Sequence, residues 1–290
     1  MQKMRNKKIF GLLVIAVFNL FLLSSCKKET SSPETLSDKD KLLPNSSSRE
    51  IDPECQISFT DELIDSIGLQ HNRLVRETYD QYLVDNQMTL LTALNNSFSN
   101  NRYDTLTHSD YEDLYGDYNE TDVATTIEST IDTISNSVQK QILEDMVELV
   151  KTTSSYDALY IELSALKKYT IENLDCFEET STLVALEVCI NSAKLWYPVE
   201  DGGEGYLDHI SNSNGSRNMQ QYRTSGFWSF IGRVVCSDAM GAFTGVVRAA
   251  LPYFASGGPA NPISNAAIAA SAIVQGASSS AISAISQAGH

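Results

Sequence analysis

The chain has 290 residues, with 21 lysines and arginines against 37 aspartates and glutamates and a formal net charge of −16. So acidic a chain repels phosphate and is a poor partner for nucleic acid or anionic lipid surfaces. The charge is uneven: from Ser225 to His290 the only formal charges are Arg233, Asp238 and Arg248, so the acidity sits almost wholly between residues 29 and 208.

Lys3, Arg5, Lys7 and Lys8 open the chain, and an apolar run over residues 9–23, broken only by Asn19, follows them. A basic start, an apolar stretch of about 7–15 residues and a small-residue exit are the three parts of a secretory signal. The run is short of the roughly 20 residues a bilayer span needs. Its exit, Leu23-Ser24-Ser25-Cys26, resembles the bacterial lipobox. The resemblance implies a signal peptide of residues 1–25, cleavage after Ser25 and a covalent lipid on Cys26. Several acyl chains on one residue supply the two-signal anchoring that a single chain cannot. Lys27 stands where an inner-membrane retention signal would place aspartate, so the expected address is the outer membrane, periplasmic or surface-facing. Residues 26–50 hold almost nothing to bury and are expected to form a flexible tether.

Residues 51–197 follow a helical period. Ser58 or Thr60 is placed to cap a helix whose first turn holds Asp61 and Glu62. Leu69, Leu74, Val75, Tyr79 and Tyr82 recur at helical spacing behind it, and Met88, Leu90, Leu91 and Leu94 extend the pattern to a stop at residues 95–101. A polar, acidic stretch at 109–122 reads as a solvated loop. Helices are then expected through Ile127, Ile131 and Ile134, and from Val138 through Ile142, Met146 and Val150. Another starts at Ser154 or Ser155, with Leu159, Ile161, Leu163, Leu166 and Tyr169 inward. The last of the set is expected to be capped by Thr180 or Ser181 and to end at Trp196-Tyr197-Pro198. Alternating strand patterns are nearly absent. The predicted fold class is all-α: an acidic helical bundle with short connections.

Residues 198–224 are rich in glycine, asparagine and serine and are expected to be a flexible loop. Residues 225–290 differ in kind. A helix over 227–254 carries Gly241, Gly245 and Ala249 one turn apart, Gly257-Gly258-Pro259 and Asn261-Pro262 break the chain, and a second helix over 264–287 is mostly alanine, serine and isoleucine. Small residues every four positions let two helix backbones approach closely, so this region reads as a tightly packed helical hairpin. Arg248 and Pro252 interrupt the first helix, and Asn265, Gln275 and the serines of the second are expected to keep its hydropathy below that of a spanning helix, so burial in a soluble core is favoured over insertion in a membrane or packing in a homo-oligomer.

Candidate chemistry is sparse. Cys55, Cys176, Cys189 and Cys236 are four cysteines beyond Cys26, enough for two disulfides in three pairings, with long-range pairing or buried free thiols both open. His71, early on a helix face near Glu77, is a weak ligand or general-base candidate, outweighed by a histidine hydrogen-bonded near a helix start. Ser164 and Lys167 share the Ser-x-x-Lys spacing of penicillin-binding serine enzymes without their companion motifs. The carboxylates at 110–122 could offer oxygen ligands to calcium, but the glycine and the closing glutamate of an EF-hand loop are out of place, and a solvated acidic loop is favoured over a weak ion site. No catalytic residue, metal site or cofactor beyond the lipid on Cys26 is expected.

The lipobox, the helix start Ile67-Gly68-Leu69-Gln70-His71-Asn72, the helix end Ser192-Ala193-Lys194-Leu195-Trp196 and the segment 228–245 with Asp238-Ala239-Met240-Gly241-Ala242 together resemble a set of uncharacterised lipoproteins of Bacteroidetes-type bacteria. The resemblance implies a shared fold and secretion route and brings no activity with it. The expected function is a non-enzymatic interaction or structural module of the cell envelope, attached to the membrane through its lipid and meeting a protein partner that the sequence does not name. Two rivals are a membrane-active, toxin-like protein using the hairpin, and a hydrolase of envelope polymers with a pocket lined by His71 and carboxylates.

Overall fold

Thr60 keeps an extended backbone while its hydroxyl accepts a hydrogen bond from the Leu63 amide, and the first described helix begins behind it. The computed structural model describes residues 57–85, 87–118, 123–212, 227–255 and 265–288. These residues form ten α-helices and no strand, the all-α architecture that the 3.6-residue period predicts. In chain order they are α1 (Asp61–Val84), α2 (Leu90–Asn100), α3 (His108–Tyr118), α4 (Val123–Asp132), α5 (Ser137–Thr152), α6 (Tyr156–Asn173) and α7 (Cys176–Trp196). A 3-10 turn (Val199–Asp201) and the short α8 (Tyr206–Asn212) lead to the long pair α9 (Phe227–Ala255) and α10 (Asn265–Ala288).

The centre is α7. It is buried on every side, the mark of a helix surrounded by others, and from Glu179 to Trp196 only Asn191 and Lys194 escape burial. Helices α1, α5, α6 and α9 all pack on it, and α10 lies against both α9 and α1. The helix starts at Cys176, earlier than the expected cap at Thr180 or Ser181. Ser181 and Thr182 satisfy their hydroxyls by bonding back to the Glu178 carbonyl at 3.2 and 2.7 Å, which serine and threonine do inside helices as readily as at their starts. Gln139 of α5 bonds the same two hydroxyls at 3.0 Å each.

Three other expectations change. The acidic stretch from residue 108 to 118 is helix α3, not loop. Thr107 and Asp110 cap it reciprocally, the threonine amide and hydroxyl bonding the carboxylate at 3.1 and 2.6 Å while the Asp110 amide bonds Thr107 Oγ1 at 3.1 Å, and Leu114 gives it a buried anchor. Leu69, Ile161 and Tyr169 point outward at 63%, 65% and 48% exposure. The stripe that α6 buries is narrow, Leu159, Leu163 and Thr170, so apolar residues beside it stay in solvent. The loop expected over 198–224 is folded as far as Asn212, and the remaining residues 213–224 lie outside the described set. Its first part is pinned: Tyr206, Leu207 and Ile210 are buried, Arg76 of α1 pairs with Glu204, and Lys194 donates to the Gly202 carbonyl at 2.6 Å while lying 4.6 Å over the Tyr156 ring. Gly202 and Gly205 hold left-handed φ values of 90° and 64° there, which glycine adopts without penalty.

The small-residue hairpin is core, not appendage. A Cβ placed on Gly245 would stand 2.6 Å from the Ser271 carbonyl oxygen and 2.8 Å from Ala272 Cα, and one on Gly241 would stand 2.9 Å from the Gln275 carbonyl. The two backbones touch at these glycines, and Ala249, one turn on, is half-buried. Both helices are long and apolar enough to cross a membrane, yet 72% of the most apolar stretch of each is buried against other helices. The residues of the predicted signal peptide and tether, with Cys26 and Cys55, lie outside the described residues.

Candidate functional site: a buried polar junction and an apolar cavity

His71 sits on the inward stripe of α1 with Ile64, Ile67, Leu74 and Val75, so the same periodicity that buries its neighbours buries the imidazole. Gly68, one turn earlier, lies so close to the Asn191 side chain of α7 that any larger residue would have to displace that side chain. The Asn191 carbonyl accepts a 2.7 Å bond from Asn72 Nδ2, which leaves Asn72 Oδ1 facing His71 Nδ1 at 3.0 Å. That oxygen only accepts, so Nδ1 carries the proton and Nε2 is the bare nitrogen. Nε2 faces Asp238 Oδ2 of α9 at 3.6 Å, beyond hydrogen-bond reach, and both side chains have no solvent exposure.

Asp238 is the hub of the junction. Ser192 of α7 donates to its Oδ2 at 2.5 Å. Ser280 of α10 and Trp196 of α7 stand close enough to favour its charged form, although neither makes a well-aligned hydrogen bond. Burial outweighs them and pushes the Asp238 carboxyl well above the usual range. Burial also pulls the His71 imidazole down to about 4, against smaller opposing effects from Asn72 and the Gly276 backbone. Burial thus disfavours the charged form of both groups. Four helices meet here: α1 gives His71, α7 gives Ser192 and Trp196, α9 gives Asp238, and α10 gives Ser280 and the close-packed Gly276, on which a Cβ would lie 3.0 Å from the His71 ring. Around the junction Trp196 meets Tyr79, Tyr206 and Phe230 edge-on at 5.7, 5.7 and 6.2 Å between ring centres.

This arrangement is not a hydrolytic relay. A serine nucleophile needs its hydroxyl on the imidazole and the imidazole on the carboxylate. Here the carboxyl stands between serine and histidine, and nothing at the junction reaches solvent. Its chemistry is that of a polar fastening between helices in a low-dielectric interior.

The other sequence candidates do not converge on it as a site. Ser164 bonds the Tyr160 carbonyl at 2.6 Å and Lys167 pairs with Glu187 at 2.5 Å, so the Ser-x-x-Lys pair never meets. His108 is exposed, 3.9 Å from Glu112 on the same helix. His209 stacks on Tyr206 at 5.6 Å, and His290 lies outside the described residues. Among the described residues no group of three or more histidines, cysteines or carboxylates is placed to hold a metal ion. Cys176 is disulfide-bonded, and its partner lies outside the described residues. Cys189 and Cys236 are free and buried. Burial pushes both thiols up, Cys236 to about 12 in spite of nearby Lys151, so neither is a ready nucleophile.

An apolar cavity of about 500 Å³ opens on the other side of α9, between it, α4 and α5. Ile127 of α4 and Val147 of α5 wall it, Gly232, Arg233 and Cys236 of α9 line its inner side, and Glu128 and Lys151 stand at its exposed edge. Asp238, Ser192, Ser280 and this cavity were not picked out as a site from the sequence. Spacing along the chain carries no signal for residues that Asp238 meets across 42 to 167 positions. No family model, curated protein or solved structure matches the chain.

Proposed function

We propose that the protein is a lipid-anchored, extracytoplasmic interaction module held at the outer membrane through Cys26, with the helical body rather than an enzymatic centre as its working part. The lipobox at residues 23–26 and the polar stretch after it support the anchor. The observation that carries the module reading is the location of α9 and α10. Their uncharged faces are consumed by α1, α7 and each other, fastened at His71, Ser192 and Asp238. A pair so used is a scaffold for the surfaces around it. The histidine–carboxyl pair that a hydrolase would need is sealed from substrate.

A second reading has an observation of its own. Both hairpin helices pass the length and apolarity test for crossing a bilayer, and two titratable groups fasten them. On that reading the hairpin leaves the core and enters a membrane. Flotation of the unlipidated mature chain, residues 27–290, on phosphatidylcholine vesicles, at pH 7 and pH 4.5, separates the two. The module reading expects the wild type in the outer-membrane fraction carrying a labelled acyl group, and the unlipidated chain soluble and not floating at either pH. Flotation of the unlipidated chain would replace the module reading with the membrane-active one, and absence of acyl label on the wild type would remove the anchor.

A further inference from the structure

We propose that the cavity between α4, α5 and α9 is a binding site for a small amphiphilic monoanion, an acyl or aryl body carrying one carboxylate. The inference stands independently of the lipid anchor. The volume of about 500 Å³ lies within the range of ligand pockets, and such pockets combine apolar walls with a few placed polar groups. Ile127 and Val147 supply the walls. Gly232 supplies room: a Cβ there would meet no atom nearer than 3.9 Å, whereas at Gly241 and Gly245 on the same helix it would run into backbone.

The polar groups are cations without counterions. Arg233 Nε has no solvent exposure and no hydrogen-bond acceptor. A guanidinium never loses its charge, so a donor left in this state calls for an acceptor. Lys151 makes no ion pair among the described residues either, and its charge reaches inward far enough to act on Cys236. In a chain with 37 acids and 21 bases, two unpaired bases at one apolar cavity run against the composition. Their charge complements a carboxylate, which the Arg233 fork binds well. Glu128 at the edge pairs with neither base and disfavours a second negative charge on the ligand. The apolar body lies along Ile127, Val147 and the open face at Gly232, with the carboxylate between Arg233 and Lys151.

Calorimetric titration of the unlipidated mature chain, residues 27–290, so that no acyl group or signal segment of its own competes, tests this with decanoate, decanol and decyltrimethylammonium. Decanoate is expected to bind with one site per chain, decanol more weakly and the cation not at all. R233Q should weaken decanoate by about tenfold or more through loss of a charge-assisted hydrogen bond, and G232L should abolish binding by filling the space. Circular dichroism checks that both variants fold. If G232L does not, R233Q decides. Absence of decanoate binding, equal binding of the cation, or unchanged affinity in R233Q would overturn the proposal.

Discussion

His71 Nε2 and Asp238 Oδ2 lie 3.6 Å apart with no water-accessible surface on either side chain, so the interior of the bundle buries two titratable groups side by side. The imidazole is pulled down to about 4 and the carboxyl is pushed well above its usual range, in both cases mainly because burial penalises the charged form. The pair thus makes stability depend on pH from two opposite directions.

On the acid side the unfolded chain takes up a proton at His71 near pH 6.5 while the folded chain refuses it until about pH 4. Stability is complete above pH 6.5 and falls as pH drops through that window, by about 3 kcal/mol in all. Thermal melts of H71Q against wild type between pH 7 and 4 check this: the variant curve should be flatter over the interval. An equal acid loss in both proteins would assign it to other groups.

On the alkaline side the unfolded chain releases the Asp238 proton near pH 3.8 and the folded chain keeps it. That contribution is full below pH 3.8 and is lost as pH rises towards the raised folded value. D238N keeps an acceptor for Ser192 and cannot ionise, so it should be at least as stable as wild type at pH 8. D238A leaves Ser192 without its acceptor and opens a void, and should cost about 2–4 kcal/mol. Urea melts at pH 8 give the order directly.

Two glycines give opposite outcomes for one added methyl. At Gly245 it would press into the Ser271 carbonyl and the Ala272 backbone, while at Gly116 nothing lies within 4 Å. G245A should destabilise by about 1–3 kcal/mol or more, because backbone cannot give way as a side chain can. G116A, inside α3, should stabilise by about 0.5–1 kcal/mol. The midpoints of urea denaturation of the two variants should move in opposite directions.

Cys189 and Cys236 are reduced and sealed, so iodoacetamide at pH 8 should leave both unmodified in native protein and alkylate both in guanidinium. Peptide mass mapping reads each site separately. Fast native labelling of Cys236 would mean that the cavity beside it opens widely.

Legibility in the sequence followed the kind of signal. Long periodic segments gave helices: the residue pattern through α5, the cap at Ser155 and the hairpin breakers after residue 255 all mark elements at or within a few residues of their observed limits. Spacing of Gly241 and Gly245 foretold a close helix crossing, because a four-residue repeat of small side chains has few other uses. The failures share a cause. Leu69 and Ile161 fit the period yet face solvent, since a period shows that a stripe exists without showing how wide its partner is. Helix α3 was hidden by acidic composition, although Thr107 and Asp110 held the capping pattern in plain spacing. His71 drew notice on its own, but Asp238 lies 167 positions away and only the packing of α1, α7, α9 and α10 brings them together.

Tyr79 of α1 reaches the carbonyl of Ala281 in α10, 202 positions later. Among the described helices the first is therefore tied to the last, and α1 reaches its full packing only when α10 is in place. A chain cut before residue 265 would leave open the faces of α1 and α9 that α10 covers, and exposed apolar surface of that kind invites aggregation.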